Sequence, residues 1–461
     1  MSTVDTEDPE DDLVYHSNHP LPNDFVNFYP WACGQFEVGV AVVINKMILS
    51  EYVGTTVSVE KYLQKKVRAT RNLMKAHASV MRIESQRLTF SGDAFSADPI
   101  VKIIATCNLS DRLIKLKFEK TDIPLPNKMI KILSLIARYN PYLTSIAFSN
   151  HLNSNGIYEL TKFVEISTIT EVYLDGCYVR EGNYSLLLGD SCSLKILSLA
   201  RCSLTDTIAH TIIEKLHHYC EASKELMILN LSTNKITDVG AKDIAQMLRS
   251  NRKLYSINLA DNMITDDGAF AILNTMTDFT ISDEELAAGR GRRFNYLQAR
   301  IELVNDLVSK MTEEEFEKLK RKNVKPRLYS EDGNEYRLPS DVYMRIHNRA
   351  HFIANDSMGV FVDPYYPFYT EDGKVYCFGN NSLHHLNLAY NSLSLLSVKK
   401  ILQVLMYQRL LNRTPKGLVN INIEGNPLPQ TCEELNSIDS MLVPADQTRQ
   451  RMRRRSHFAP K

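Results

Sequence analysis

Two stretches of the chain repeat one spacing 28 residues apart. Leu226, Leu229, Leu231, Asn234 and Ile236 fit L-x-x-L-x-L-x-x-N-x-I, and Leu254, Ile257, Leu259, Asn262 and Ile264 fit it again. The residues that follow agree as well, Thr237-Asp238-Val239-Gly240-Ala241 against Thr265-Asp266-Asp267-Gly268-Ala269. A fixed period of this size leaves few folds open. One such unit cannot bury its apolar face alone, so it must stack on copies of itself. Weaker copies begin at Leu113, Leu143, Ile169 and Leu194 upstream and at Leu383 and Leu418 downstream, which makes eight units.

Each unit changes period halfway. The leucines mark a strand, and a helical spacing of i, i+3, i+4, i+7 follows: Ala241, Ile244, Ala245 and Leu248; Ala269, Ile272, Leu273 and Met276; Ala209, Ile212, Ile213 and Leu216; Val398, Ile401, Leu402 and Leu405; Met129, Ile132, Leu133 and Ile136. That spacing puts one apolar stripe on each helix. A strand, a loop and a helix in about 28 residues define an α/β leucine-rich-repeat solenoid. The expected form is a horseshoe with a parallel sheet on the concave face and helices outside.

The polar residue after the third leucine has a structural reason. The chain turns out of the strand at Cys177, Cys202, Asn234, Asn262, Asn391 and Asn426. A buried turn leaves backbone groups in need of partners, and an amide side chain both donates and accepts. Asp238, Asp266 and Asp267 begin helices, where a carboxylate caps free backbone N–H groups.

The units at Leu254 and Leu383 start 129 residues apart, so roughly a hundred residues are inserted. The insertion opens on Ser282-Asp283-Glu284-Glu285, the pattern of a capping box. Phe294, Leu297, Ile301, Val304, Val308 and Met311 then form a short heptad seam, expected to pack on the insertion's own partner segment or on the solenoid. Asp363-Pro364-Tyr365-Tyr366-Pro367-Phe368-Tyr369 reads as an aromatic strap or a docking patch. Glu371-Asp372-Gly373-Lys374 is a hairpin turn. The domain plan is an acidic tail over 1–25, a capping region over 26–110, repeats over 111–281, the insertion over 282–380, repeats over 381–440 and a basic tail over 441–461.

Composition restricts the chemistry. Lys plus Arg and Asp plus Glu are both 54, so no net charge draws the chain to nucleic acid or an anionic membrane. Eight cysteines without CxxC spacing predict buried thiols rather than a zinc site or a disulfide framework. The apolar run Val38 to Leu49 is shorter than the ~20 residues a membrane span needs. A cytosolic, reduced chain is expected. No phosphate loop, GxGxxG, HExxH or GxSxG is present, so neither enzymatic activity nor any cofactor, metal or catalytic residue is expected.

What remains is a surface for a protein partner. Strand alternation points Tyr173, Ser198, Asn230, Asn258 and Asn387 to the concave side, flanked by Glu171, Asp175 and His385, with Arg201, Asp261 and Tyr390 on the lip beyond the strands. Tyr173 with Glu171 and Asp175 is the least generic cluster. Arg449, Arg451, Arg453, Arg454 and Arg455 offer a second class of partner, nucleic acid or an acidic polymer. An enzyme held in the horseshoe, with the chain as its inhibitor or regulator, is a third.

LNLSTNKITDVGAKDIAQML and INLADNMITDDGAFAILNTM resemble ribonuclease-inhibitor-type repeats. The order of parts over roughly 110–435 resembles the leucine-rich repeat-containing protein 71 family. The shared parts are DDGAFAILNTMTDFTISDEELAAGR, a long insertion, re-entry at EDGKVYCFGNNSLHHLNLAYNSLS, and YQRLLNRTPKGLVNINIEGNPLPQ. The insertion here is more aromatic than in that family, and a basic tail stands where some members carry a proline-rich one. The resemblance implies a non-enzymatic scaffold of the axoneme of cilia or flagella, with tubulin-associated partners.

Overall fold

A computed structural model describes residues 20–48, 83–84, 99–149, 152–321, 338–411, 416–429 and 432–442. Most of the acidic N-terminal stretch, the basic stretch Lys61 to Lys75 and the C-terminal arginines lie outside these residues. The chain divides into two compact units, one of residues 1–273 with 381–461 and one of residues 274–380.

Among the described residues the strands are β1 (Ala41–Ile48), β2 (Ile83–Glu84), β3 (Ile100–Cys107), β4 (Leu113–Phe118), β5 (Ser145–Phe148), β6 (Glu171–Tyr173), β7 (Ile196–Ser198), β8 (Ile228–Asn230), β9 (Ser256–Asn258), β10 (Phe279–Thr280), β11 (Phe368–Glu371), β12 (Lys374–Cys377), β13 (His385–Asn387) and β14 (Asn420–Asn422). In the first unit β4 to β9, β13 and β14 pair side by side, all parallel. These are the eight units read from the spacing, and the fold is a leucine-rich-repeat solenoid. β13 lies against β9 with Leu386 opposite Ile257, so the array resumes in register after the insertion. Beyond β4 the sheet continues through β3, antiparallel to it, and β1, parallel to β3.

The two periods explain the core. Leu197, Leu229, Ile257 and Leu386 are the inward middles of their strands and are buried. In helix Asp238–Ser250 the buried residues include Ala241, Ile244, Ala245 and Leu248, and in helix Asn127–Ile136 they include Met129, Ile132, Leu133 and Ile136. In helix Leu395–Leu411 the stripe is shifted: Val404 is buried and Leu402 only half-buried. Each fully buried Leu or Ile side chain contributes roughly 1.5–3 kcal/mol. Before the first repeat, helix Phe25–Gln35 buries Tyr29, whose hydroxyl donates to the Met129 carbonyl at 2.8 Å. Phe118 meets the Tyr29 ring edge-on and stacks on Phe148 at 4.7 Å.

In the second unit Ser282 and Glu285 cap helix Asp283–Arg321 reciprocally: the Glu285 N–H donates to the Ser282 hydroxyl at 3.2 Å and the Ser282 N–H to the Glu285 carboxylate at 2.9 Å. This 39-residue helix pairs with helix Ser340–Met358 around Val304, Ala350 and Ala354, with Leu303, Leu307, Val308 and Met311 at the margin. The heptad seam therefore holds only in its second half. Phe294, Leu297 and Ile301 are exposed. The partner helix ends at Met358, and the chain then follows another face of the long helix. There Tyr296 donates to the Gly359 carbonyl at 2.6 Å and Arg292 pairs with Asp363 at 2.7 Å. That face starts with polar residues, so an apolar period could not reveal it.

The aromatic run folds into this same unit. Tyr365 is buried with Ile281 and Cys377 and donates to Glu285, Tyr369 stacks on Tyr376, and Tyr366 and Phe368 are exposed. β11 and β12 form the hairpin, joined by Asp372 and Gly373, both with positive φ, as a two-residue turn between right-twisted strands requires. The outgoing and returning chains meet at a neck, where the Asn380 N–H donates to the Thr275 carbonyl at 2.7 Å.

Candidate partner-binding face

The turns out of the strands carry a ladder of side-chain amides. Nδ2 of Asn234 donates to the carbonyls of Leu199, Leu231 and Ser232, and its Oδ1 accepts from the N–H groups of Cys202 and Leu204. Asn262 bonds the Leu231, Leu259 and Ala260 carbonyls and the Ile236 N–H. Asn391 bonds Leu259, Leu388 and Ala389 and the Ile264 N–H; Asn426 bonds Leu388 and Ile423 and the N–H groups of Asn391 and Leu393. Each amide thus bridges its own unit to the one before. Cys202 donates to the Leu174 carbonyl at 3.1 Å and Cys177 to the Phe148 carbonyl at 3.5 Å. A thiol does less than an amide, and at Cys177 a buried tyrosine supplements it. The Tyr184 hydroxyl donates to the Cys177 carbonyl at 2.6 Å and accepts from the Val179 N–H. No repeat signature marks Tyr184. Burial pushes the Cys202 thiol up to about 12, which keeps it protonated as a donor.

The residue before each ladder position is left-handed in six successive units: Gly176, Arg201, Thr233, Asp261, Tyr390 and Gly425. In the first five the N–H donates to the next unit, as from Thr233 to Ala260 and from Tyr390 to Glu424. Only the first and last of these six place glycine there. For an L side chain this conformation costs about 1–2 kcal/mol, most for a β-branched one. Thr233 is exposed, and its side chain has no hydrogen-bond partner among the described residues. Thr233→Gly is therefore expected to stabilise the fold by up to about 1 kcal/mol. A lower thermal midpoint for the variant would contradict this account.

A second ladder runs along the helix starts. Asp206 accepts from the N–H and hydroxyl of Thr237 and the N–H of Gly240; Asp238 accepts from the same groups of Thr265 and Gly268. Asp266 takes Ser394 and the Ser397 hydroxyl. Each carboxylate caps the helix of the following unit rather than its own. This corrects the expectation of a local cap at Asp238 and Asp266. Gly240 and Gly268 are needed because a Cβ there would occupy the carboxylate's place. At Asp266 burial alone would raise the pKa; the hydrogen bonds from Ser394 and Ser397 outweigh it and lower the pKa below the usual carboxylate value.

The sheet face presents two rows in register. One is Lys117, Ala147, Tyr173, Ser198, Asn230, Asn258, Asn387 and Asn422; the other is Lys115, Ser145, Glu171, Ile196, Ile228, Ser256, His385 and Asn420. Tyr173, Asp175, Asn230, Asn258, His385 and Asn387 are half-buried on this face or its border, and Arg201, Asp261 and Tyr390 are exposed on the rim. Glu171 and Ser198 are only 7% and 2% exposed, which corrects their expected role as partner contacts. Glu171 accepts from the Tyr173 hydroxyl at 3.2 Å. Ser198 donates to Asp175 at 2.5 Å and accepts from Asn230. They are consumed by their neighbours. Glu171 and Tyr173 are thus bonded to each other and Asp175 to Ser198 and the Ala200 N–H, with the Tyr173 ring 5.2 Å from the Lys115 ammonium.

At the other end His384 stacks on Tyr255 at 4.5 Å, and His385 lies beside the same ring with its Nε2 3.4 Å from the Tyr255 hydroxyl. Burial first, then the neighbouring His384, lowers His385 from 6.5 to about 4. The folded state thus resists a proton that the unfolded chain accepts near 6.5. His385 therefore contributes stability that is fully present above 6.5 and falls away as pH drops towards about 4. His385→Gln should flatten the thermal midpoint over that window relative to the parent; an unchanged profile would remove His385 as its source.

A family described as Leucine Rich repeat matches residues 223–245 and 250–273. Two proteins of Plasmodium falciparum, cytoadherence-linked asexual proteins 3.1 (isolate 3D7) and 3.2, are each 25% identical over 176 residues. The matched stretch covers 37% of this chain and 12% of either protein. The repeat match falls on two of the eight units, agrees with the solenoid fold, and suggests a protein-interaction scaffold. Among the described residues no helix is long and apolar enough to cross a membrane.

Proposed function

We propose that the chain is a non-enzymatic scaffold or adaptor whose sheet face and left-handed rim bind a protein partner. One observation carries this: eight strands in register give two rows of mostly polar side chains on one face, and two hydrogen-bonded ladders tie the units together at the turns and helix starts. A rigid face of this kind loses little entropy on binding. Arg201, Asp261 and Tyr390 keep strained backbone where glycine would relax it, a pattern that accompanies functional surfaces.

The axoneme of cilia or flagella, with tubulin-associated neighbours, is the proposed setting. It rests on the order of parts shared with the leucine-rich repeat-containing protein 71 family. Proximity labelling in ciliated cells, comparing the parent with a variant carrying Tyr173→Ala, Arg201→Ala and Tyr390→Ala, tests the reading. Recurrent axonemal neighbours that disappear with the variant support it. Neighbours that persist would move the binding site off the sheet face, and a diffuse cytosolic signal with one dominant enzyme would favour the inhibitor reading instead.

A further inference from the structure

Helix Ser340–Met358 carries His347 and His351 one turn apart, with ring centroids 4.6 Å from each other and ring planes at 57°. Residues four apart lie on one face of a helix. Both side chains are half-buried, and neither imidazole has a hydrogen-bond or carboxylate partner among the described residues. The other described histidines are engaged. His210 lies between Asp243 and Glu214, His217 and His218 pack on Tyr219, and His384 and His385 pack on Tyr255. Beside the free pair, Ala350 and Ala354 are fully buried with Val304 of the long helix, so the backbone under the two imidazoles is anchored. Arg349, two residues from each histidine, stands on the opposite side of the helix.

Two imidazoles on one ion must stand at a set separation. With metal–nitrogen bonds of about 2.0–2.1 Å and bond angles of about 90–110°, their centroids lie about 4.5–5.2 Å apart. The observed 4.6 Å falls in that range. Turning a nitrogen of each ring towards the ion breaks no hydrogen bond, and rotation about χ2 of histidine is soft. We infer that His347 and His351 chelate a late first-row divalent ion of the zinc class, one nitrogen from each ring. Imidazole suits zinc, copper and nickel, whereas magnesium and calcium take oxygen ligands. Among the described residues no group of three or more His, Cys, Asp or Glu is placed to hold an ion, so water fills the remaining positions of this pair. The site is therefore open and exchangeable, unlike a closed four-ligand structural zinc. Asn348 stands where an H-E-x-x-H motif has its glutamate, so the pair holds the ion without a general base beside it.

Hydrogen exchange of peptides within 340–358 reads the site in the full-length chain, apart from any thiol or imidazole elsewhere. Each sample is compared with its own zinc-free exchange. Zinc chloride at micromolar concentration, by bridging one helical turn, should slow exchange there, and magnesium chloride should not. His347→Gln or His351→Gln leaves one imidazole and should raise the zinc midpoint by about tenfold or more. His351→Gln with Phe352→His keeps two imidazoles but sets them about 140° apart around the helix, and should lose the protection as fully. Phe352 is 72% exposed, so this shift leaves the packing unchanged. Protection that appears only at millimolar zinc, a midpoint indifferent to both single variants, or protection retained by the shifted pair overturns the inference.

Discussion

Asn391→Asp is expected to destabilise the solenoid by about 3–5 kcal/mol, enough to remove most of the stability of a single domain. Asn391 is 7% exposed, and its Nδ2 donates to three carbonyls, Leu259 at 3.0 Å, Leu388 at 3.2 Å and Ala389 at 3.1 Å. An oxygen in that place faces three oxygens and loses every donor at once. The same residue links the chain before the insertion, through Leu259 and Ile264, to the chain after it. Denaturant unfolding of Asn391→Asp beside Asn391→Ala separates the contributions. Alanine only leaves backbone groups unmet, at about 1–3 kcal/mol for each that water cannot reach. Asp as stable as the parent would show that the ladder gives no net stability.

Gly379→Ala should cost roughly 3 kcal/mol or more in the second unit, since overpacking against a backbone that cannot yield lies at the upper end of such effects. A Cβ at 379 would run into the carbonyl carbon of Met276 and stand 2.5 Å from its oxygen and 2.6 Å from the Thr277 nitrogen. Side chains can rotate away; these atoms belong to the main chain held by the bond from Asn380 to Thr275. Gly379 has no positive φ, so the requirement is space rather than conformation. Hydrogen exchange of residues 274–380 in the variant should show lost protection at the neck. Parent-like protection there would mean that the two strands can part without cost.

The repeat fold was legible because two periods, 2 and 3.6, alternate in the sequence and leave Leu229, Leu231, Ile244 and Leu248 few alternatives. The amide turns were legible for the same reason, since Asn234 and its counterparts recur. The left-handed rim was not. Arg201, Thr233, Asp261 and Tyr390 share a backbone angle and no chemistry, so a reading by residue type passes over them. Asp238 and Asp266 read as caps of their own helices because the N–H and hydroxyl donors they accept from belong to the following unit, which sequence proximity does not show. Glu171 and Ser198 looked like contacts because alternation gives direction and not depth. Which alternating residue stays accessible depends on the neighbours on β6 to β8, and those become known only when the strands are in register. Only the first half of the Phe294 seam departs from expectation, because there the helix meets the returning chain through Arg292 and Tyr296.

The neck also changes what kind of object the insertion is. The chain leaves at Thr275 and returns at Asn380 within one hydrogen bond, and β13 takes the place beside β9 that an uninterrupted repeat would take. Closing a long loop costs only slowly more as it lengthens, and here the closure is fixed by backbone contact at its ends. The excursion is therefore a cassette. Exchanging what lies between 278 and 378 for a short turn, or for another compact domain with adjacent termini, leaves the register of all eight parallel strands to be set by the same leucines and asparagines.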